Sequence, residues 1–454
     1  MGVLPEQRLE KVRGLVRTLP VALLRPLENS LSLSQDEGLT AVRRLVSAEL
    51  ESHYIKESVF RPFMPLFEAR EDGLEGVEFP NWALNRLWRA LERHEPQLFA
   101  EARVAARGLR GDDETPVVFY RLVTAGAAIL RDTPDEILPP NADEDDAETL
   151  TELACYLDLH RLLRSAVLRL PDWMGRIDTE KATAIRLMFK DAGKTSEDGG
   201  LRFLEALFAN LDDGALIMKF VATVSDRPND RFLSESELAG FGERLIEAAE
   251  MRLKVLEGLL RRRNRETAQL SEAGAWVTQC LTILHSFEQS IELSRDGAWG
   301  KRVTKIHQSI AALVEDRLKG VEKIVDIALP LKTERIFGRA TRDVPDFKGA
   351  SEENYQAAVH TIAFLNQIRP TANHGGFASL LTRTIQGCET IMDAYFEVVL
   401  GIAVADDPFD AQAVMGCFER VTDLMQALFG EDKANIARRR IGSADVFRLP
   451  KNVA

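Results

Sequence analysis

Apolar residues recur along this chain at spacings of three and four, and runs that alternate apolar with polar positions are nearly absent. Such a period places one apolar stripe along each helix, so the pattern predicts an all-α fold built of stacked antiparallel helical bundles. Prolines at first-turn positions open short helices over Pro5 to Arg17 and Pro20 to Asn29. Ser34 with Glu37 reads as a capping box ahead of a helix reaching about Glu57, and Ser234 with Glu237 reads as a second one. Helices lengthen in the second half. Over Trp299 to Leu329 the seam Val314, Leu318, Val321, Val325 and Ala328 has the four, three spacing of a coiled coil, which packs on a neighbouring helix or on another chain.

Interruptions in the pattern divide the chain. Residues 132–148 hold three prolines and eight carboxylates and read as an acidic surface loop. The turn at Ser225 to Arg231 separates an N-terminal helical domain, 1–225, from a C-terminal long-helix bundle, 234–454. The latter is expected to contain an irregular segment at 331–350 and to close on a basic tail at 431–454.

At 454 residues the chain is long enough for more than one core. Its net charge of -13 argues against general nucleic-acid binding, which needs a basic surface. The longest apolar runs, such as Val398 to Ala405, fall far short of the roughly 20 residues that span a bilayer. Met1 to Glu6 carries no signal-peptide pattern, and the chain reads as cytoplasmic. Cys155, Cys280, Cys388 and Cys417 stand alone, without the paired spacing of a zinc or redox site, and no cofactor motif is evident.

Four short segments bear on chemistry. Asp406-Asp407-Pro408-Phe409-Asp410 resembles the aspartate-rich motif of isoprenoid synthases, which implies magnesium held by Asp406 and Asp410 and a diphosphate substrate. The resemblance covers five residues and lacks the second motif of those enzymes; a helix start with Pro408 at its first position explains the same residues. Asp226 to Glu237 has the length of an EF-hand loop, but Arg231 stands where the turn needs glycine. Asn373-His374-Gly375-Gly376 resembles the His-Gly-Gly loop of some esterases without their nucleophile motif, and Asp296 to Lys301 lacks the spacing of a phosphate loop. His160 falls on an apolar stripe, whereas His53, His94, His285, His307, His360 and His374 are scattered through the sequence.

Three basic clusters are candidates for an anionic partner: Arg261, Arg262, Arg263 and Arg265; Arg335, Arg339 and Arg342; and Arg438, Arg439 and Arg440. Phe60, Phe63, Met64 and Phe67 form the densest aromatic group, a partner patch if exposed and a core wall if buried. With no coherent catalytic set, the sequence points to a non-enzymatic helical scaffold or adaptor that binds protein partners and self-associates through its C-terminal helices. The alternatives are a magnesium-dependent helical enzyme acting through Asp406, Asp407 and Asp410, and a regulator that binds an anion through the arginines.

Overall fold

The computed structural model describes residues 5–33, 37–109, 114–261, 268–337, 340–347, 349–404 and 410–443. Among them the chain is all-α apart from one two-stranded sheet. None of its described helices is long and apolar enough to cross a membrane. It divides into two compact units, Met1–Asp226 and Arg227–Ala454.

The first unit contains α1 (Glu6–Val16), α2 (Val21–Ser32), α3 (Glu37–Phe60), α4 (Asn81–His94), α5 (Pro96–Ala106), α6 (Val117–Asp132), α7 (Glu144–Asp158), α8 (His160–Trp173), α9 (Thr179–Gly193), α10 (Gly199–Ala209) and α11 (Ile217–Val224). Pro62 and Pro65 end α3 in a 3-10 turn over Arg61–Phe67, because neither ring fits a regular helix interior. Arg164 closes that end, donating to the carbonyls of Ser58 and Val59 at 2.9 and 2.6 Å. The acidic segment is more ordered than a loop. Asp143 caps α7 in a reciprocal box with Asp146, so Glu144, Asp145 and Asp146 occupy the first turn, where the helix dipole favours negative charge.

The second unit contains α12 (Asp230–Leu233), α13 (Ala239–Arg261), α14 (Ala268–Ser290), α15 (Ala298–Leu318), α16 (Val321–Ala328), β1 (Leu331–Phe337), β2 (Ala340–Pro345), α17 (Glu352–Ile368), α18 (Ala378–Val404), α19 (Ala411–Phe429) and α20 (Glu431–Ser443). Helix α14 packs on α13 and α17, α16 on α17 and α18, and α19 on α17, α18 and α20. The start of α15 is fixed by Asp230, which is fully buried and accepts from the amides of Trp299 and Gly300 at 3.2 and 2.9 Å. A side chain on Gly297 would place its Cβ 1.8 Å from the Asp230 carboxylate, so this approach requires glycine.

Several expectations are corrected. The run from Trp299 to Leu329 is two helices: Lys319 and Gly320 end α15, glycine being the poorest helix former after proline. Its seam is interior, with Val314, Leu318, Val321, Val325 and Ala328 all buried within the unit, and it presents no apolar strip to a second copy. The segment 331–350 is no irregular loop but carries an antiparallel hairpin that pairs Leu331 with Pro345 and Glu334 with Arg342. The first part of the expected basic tail is α20. Asn229, and not Ser234, caps the first helix after the turn, and α13 begins only at Ala239. Ser34 lies outside the described residues.

Candidate functional site

The most chemically loaded space in the first unit lies along α3. Glu49, Ser52, His53 and Lys56 are spaced three, one and three apart, which puts them on one face of the helix. Asn85, Arg86, Trp88 and Arg89 of α4 face them, and the α1–α2 connection, Arg17 to Pro20, forms a third side. Together they enclose a cavity of about 430 Å³. Trp88 anchors the α4 wall: it is buried, packs edge-on to Phe60 with ring centroids 6.2 Å apart, and donates its indole Nε1–H to Ser52 Oγ at 2.9 Å.

The site's charge is lopsided. Arg17, Lys56, Arg86 and Arg89 are its basic side chains, and Glu49 is the carboxylate set into its wall. Glu49 is buried, pairs with Arg89, and lies 3.6 Å from His53 Nε2. Glu92, at the rim, stands 3.9 Å from Arg17 and 3.7 Å from Arg89. Lys56 is only 7% exposed, and its Nζ donates to Asn85 Oδ1 at 2.6 Å. Among the described residues no carboxylate lies within ion-pair distance of it. Burial, then the charge of Arg89, pushes the Lys56 ammonium below its ordinary pKa; burial and Lys56 do the same to the His53 imidazole. Such a space favours an entering anion, because Lys56 is desolvated without a counter-charge and the four cations outnumber Glu49 and Glu92.

A second hollow of about 470 Å³ runs beside Glu51, Arg103 and Arg107. Its carboxylate is already shared, 3.4 Å from Arg103 Nε and 2.9 Å from Arg107, which leaves little charge for a ligand.

The residues singled out from sequence fall elsewhere. Phe60, Phe63 and Phe67 are buried and Met64 is half-buried, so this group is a wall of the core and not a surface patch for a partner. Arg438 reaches Gln426 at 2.7 Å and Asp423 at 3.5 Å. Arg440 makes a two-pronged pair with Glu397 and lies 5.2 Å over the Phe396 ring, so both arginines serve to dock α20. Arg439 is exposed on the same helix. Arg335 stands opposite Thr341 in the hairpin, and Arg342 opposite Glu334. Arg262, Arg263, Arg265 and Arg339 lie outside the described residues, as does the side chain of Arg261. Asp406 and Asp407 do too, and Asp410 is the N-cap of α19, its Oδ1 accepting from Gln412 and Ala413. Among the described residues no group of three or more His, Cys, Asp or Glu is placed to hold a metal ion.

Some histidines that are scattered in sequence meet in space. In the second unit the rings of His285 and His374 lie 3.7 Å apart, and His307 Nε2 is 3.2 Å from Glu288 Oε1. His307, then His285 and His374, hold the Glu288 carboxyl below its usual range. Comparison of the chain with protein-family models, curated proteins and solved structures finds no match.

Proposed function

We propose that this chain is a non-catalytic helical adaptor whose first unit takes a small anionic ligand in the cavity between α3 and α4. The observation that carries the reading is the arrangement of Arg17, Lys56, Arg86 and Arg89, with His53, around a single buried carboxylate. The anion is received by this cavity; of the arginines prominent in the sequence, Arg438 and Arg440 are engaged in docking α20. Engagement of a protein partner, the role expected from the helical architecture, is the output that ligand binding would serve. The seam from Val314 to Ala328 has no part in any self-association, because it is interior.

Titration calorimetry with inorganic phosphate and with small carboxylates tests the ligand half. Binding should weaken as salt rises and should weaken about tenfold or more in Arg86→Ala, the loss expected for one hydrogen bond to a charged group. Absence of heat with every anion, or equal affinity in Arg86→Ala, Arg17→Ala and the parent chain, would remove it. Cross-linking in the protein's own cells tests the adaptor half: one protein species should be recovered at fixed stoichiometry, and a chain that stays alone would reduce the reading to ligand binding.

A further inference from the structure

Lys56 has features that electrostatic binding of an anion does not require. Its amine is withdrawn from solvent on the wall of a cavity large enough for a small organic acid, and its bonding partner there is the neutral carbonyl of Asn85. Buried lysines are ordinarily paired with a carboxylate; Lys56 has none within ion-pair distance among the described residues, and it feels Arg89, itself tied to Glu49, more strongly than the carboxylates of Glu57 and Glu49. A desolvated amine beside another cation holds its proton less tightly, which favours its attack on a carbonyl carbon.

We propose that Lys56 captures a small aldehyde or ketone bearing a carboxylate or phosphate, forming a reversible imine while Arg86 and Arg89 hold the acidic group. This deepens the anion-binding reading and rests on it. A deprotonated Nζ donates its lone pair to the carbonyl carbon, the C=O π pair moves to oxygen, and one N–H proton passes to that oxygen, giving a carbinolamine. Loss of the hydroxyl and the remaining N–H proton as water leaves a C=N bond between Lys56 and the ligand. Amine and carbonyl give imine and one water, so the step needs no oxidant or co-reactant. His53, on the same face of α3 and lining the cavity, is the group available to carry the proton to the departing hydroxyl.

The test uses the full chain with glyoxylate as the probe, cyanoborohydride to reduce any imine, and peptide mass mapping to locate the product. Lys56 should be modified several-fold faster than the exposed lysines, phosphate should slow that modification, and a neutral aldehyde of similar size should react more slowly at Lys56. Lys56→Arg removes the amine, so it should lose the fast product. Modification spread evenly over surface lysines, or unaffected by phosphate, would overturn the proposal. Phosphate binding in calorimetry without trapping at Lys56 would defeat the imine alone, and failure of both would defeat the anion reading with it.

Discussion

A carboxylate sealed inside a protein must find donors, and Asp230 finds them in the first amides of α15. Removing it leaves those amides buried and unmet, so Asp230→Ala should cost roughly 2–4 kcal/mol, read as a shifted midpoint in urea unfolding. Gly300→Ala should be damaging at the same place, because its Cβ would sit 1.9 Å from the Ser294 carbonyl oxygen. An unchanged midpoint for both would mean that the α15 start is held by something else. The Asp226 to Glu237 stretch that resembles an ion-binding loop thus contributes, through Asp230, a cap for a helix some 70 residues later. Sequence spacing shows such a carboxylate but not the amides it will meet.

Among the helices, the ends repay attention more than the middles. Asp143→Ala would dissolve the reciprocal cap of α7 and should lower stability by about 1 kcal/mol, a change that a thermal melt followed by circular dichroism resolves. Gly320, by contrast, has φ −96° and ordinary space around it, so Gly320→Ala should raise stability by about 0.5–1 kcal/mol, and a loss would show that the α15–α16 break needs glycine. Much at this scale was legible in the sequence: the apolar stripes of α13, α14, α18 and α19 lie where their three and four spacings put them, facing the core. The hairpin was not, because Lys332, Glu334, Arg335 and Arg342 charge strands that are exposed from Leu331 to Arg335 and at Thr341 and Asp343, and these show no apolar alternation. Nor was the cavity. Glu49, Ser52, His53 and Lys56 look like the polar face of an amphipathic helix, and only the fold reveals that α4 turns Asn85, Trp88 and Arg89 toward them.

For the whole molecule, acidity acts through imidazoles withdrawn from water, His160 fully and His53 and His285 in part. His53, His160 and His285 are each held below the ordinary histidine value, in every case chiefly by burial. A base with a depressed folded pKa binds fewer protons folded than unfolded, so its stabilisation is complete above about pH 6.5 and is lost as pH falls through the lowered value. Asp72, Glu250, Glu288 and Glu397, all held low, extend that loss below about pH 4.5. Melting temperature should therefore decline from pH 7 toward pH 5 before the carboxylates titrate; a flat profile over that range would contradict the burial of these rings. With a core in each unit, residues 1–226 expressed alone should keep a cooperative melt, and a fragment lacking one would show that Met1–Asp226 does not fold independently.

One helix departs from the pattern of attachment by apolar burial. The buried residues of α20 are only Ala434 and Ala437, while Lys433 reaches Glu389 and Asp393, Arg438 reaches Asp423, and Arg440 reaches Glu397. Each exposed pair contributes roughly 0–1 kcal/mol and fades as ions screen it. The helix is thus a clasp with an ionic catch: strong brine should loosen it while the oily seams elsewhere tighten, and amide hydrogen exchange along 431–443 would register that opening ahead of any other helix in its unit.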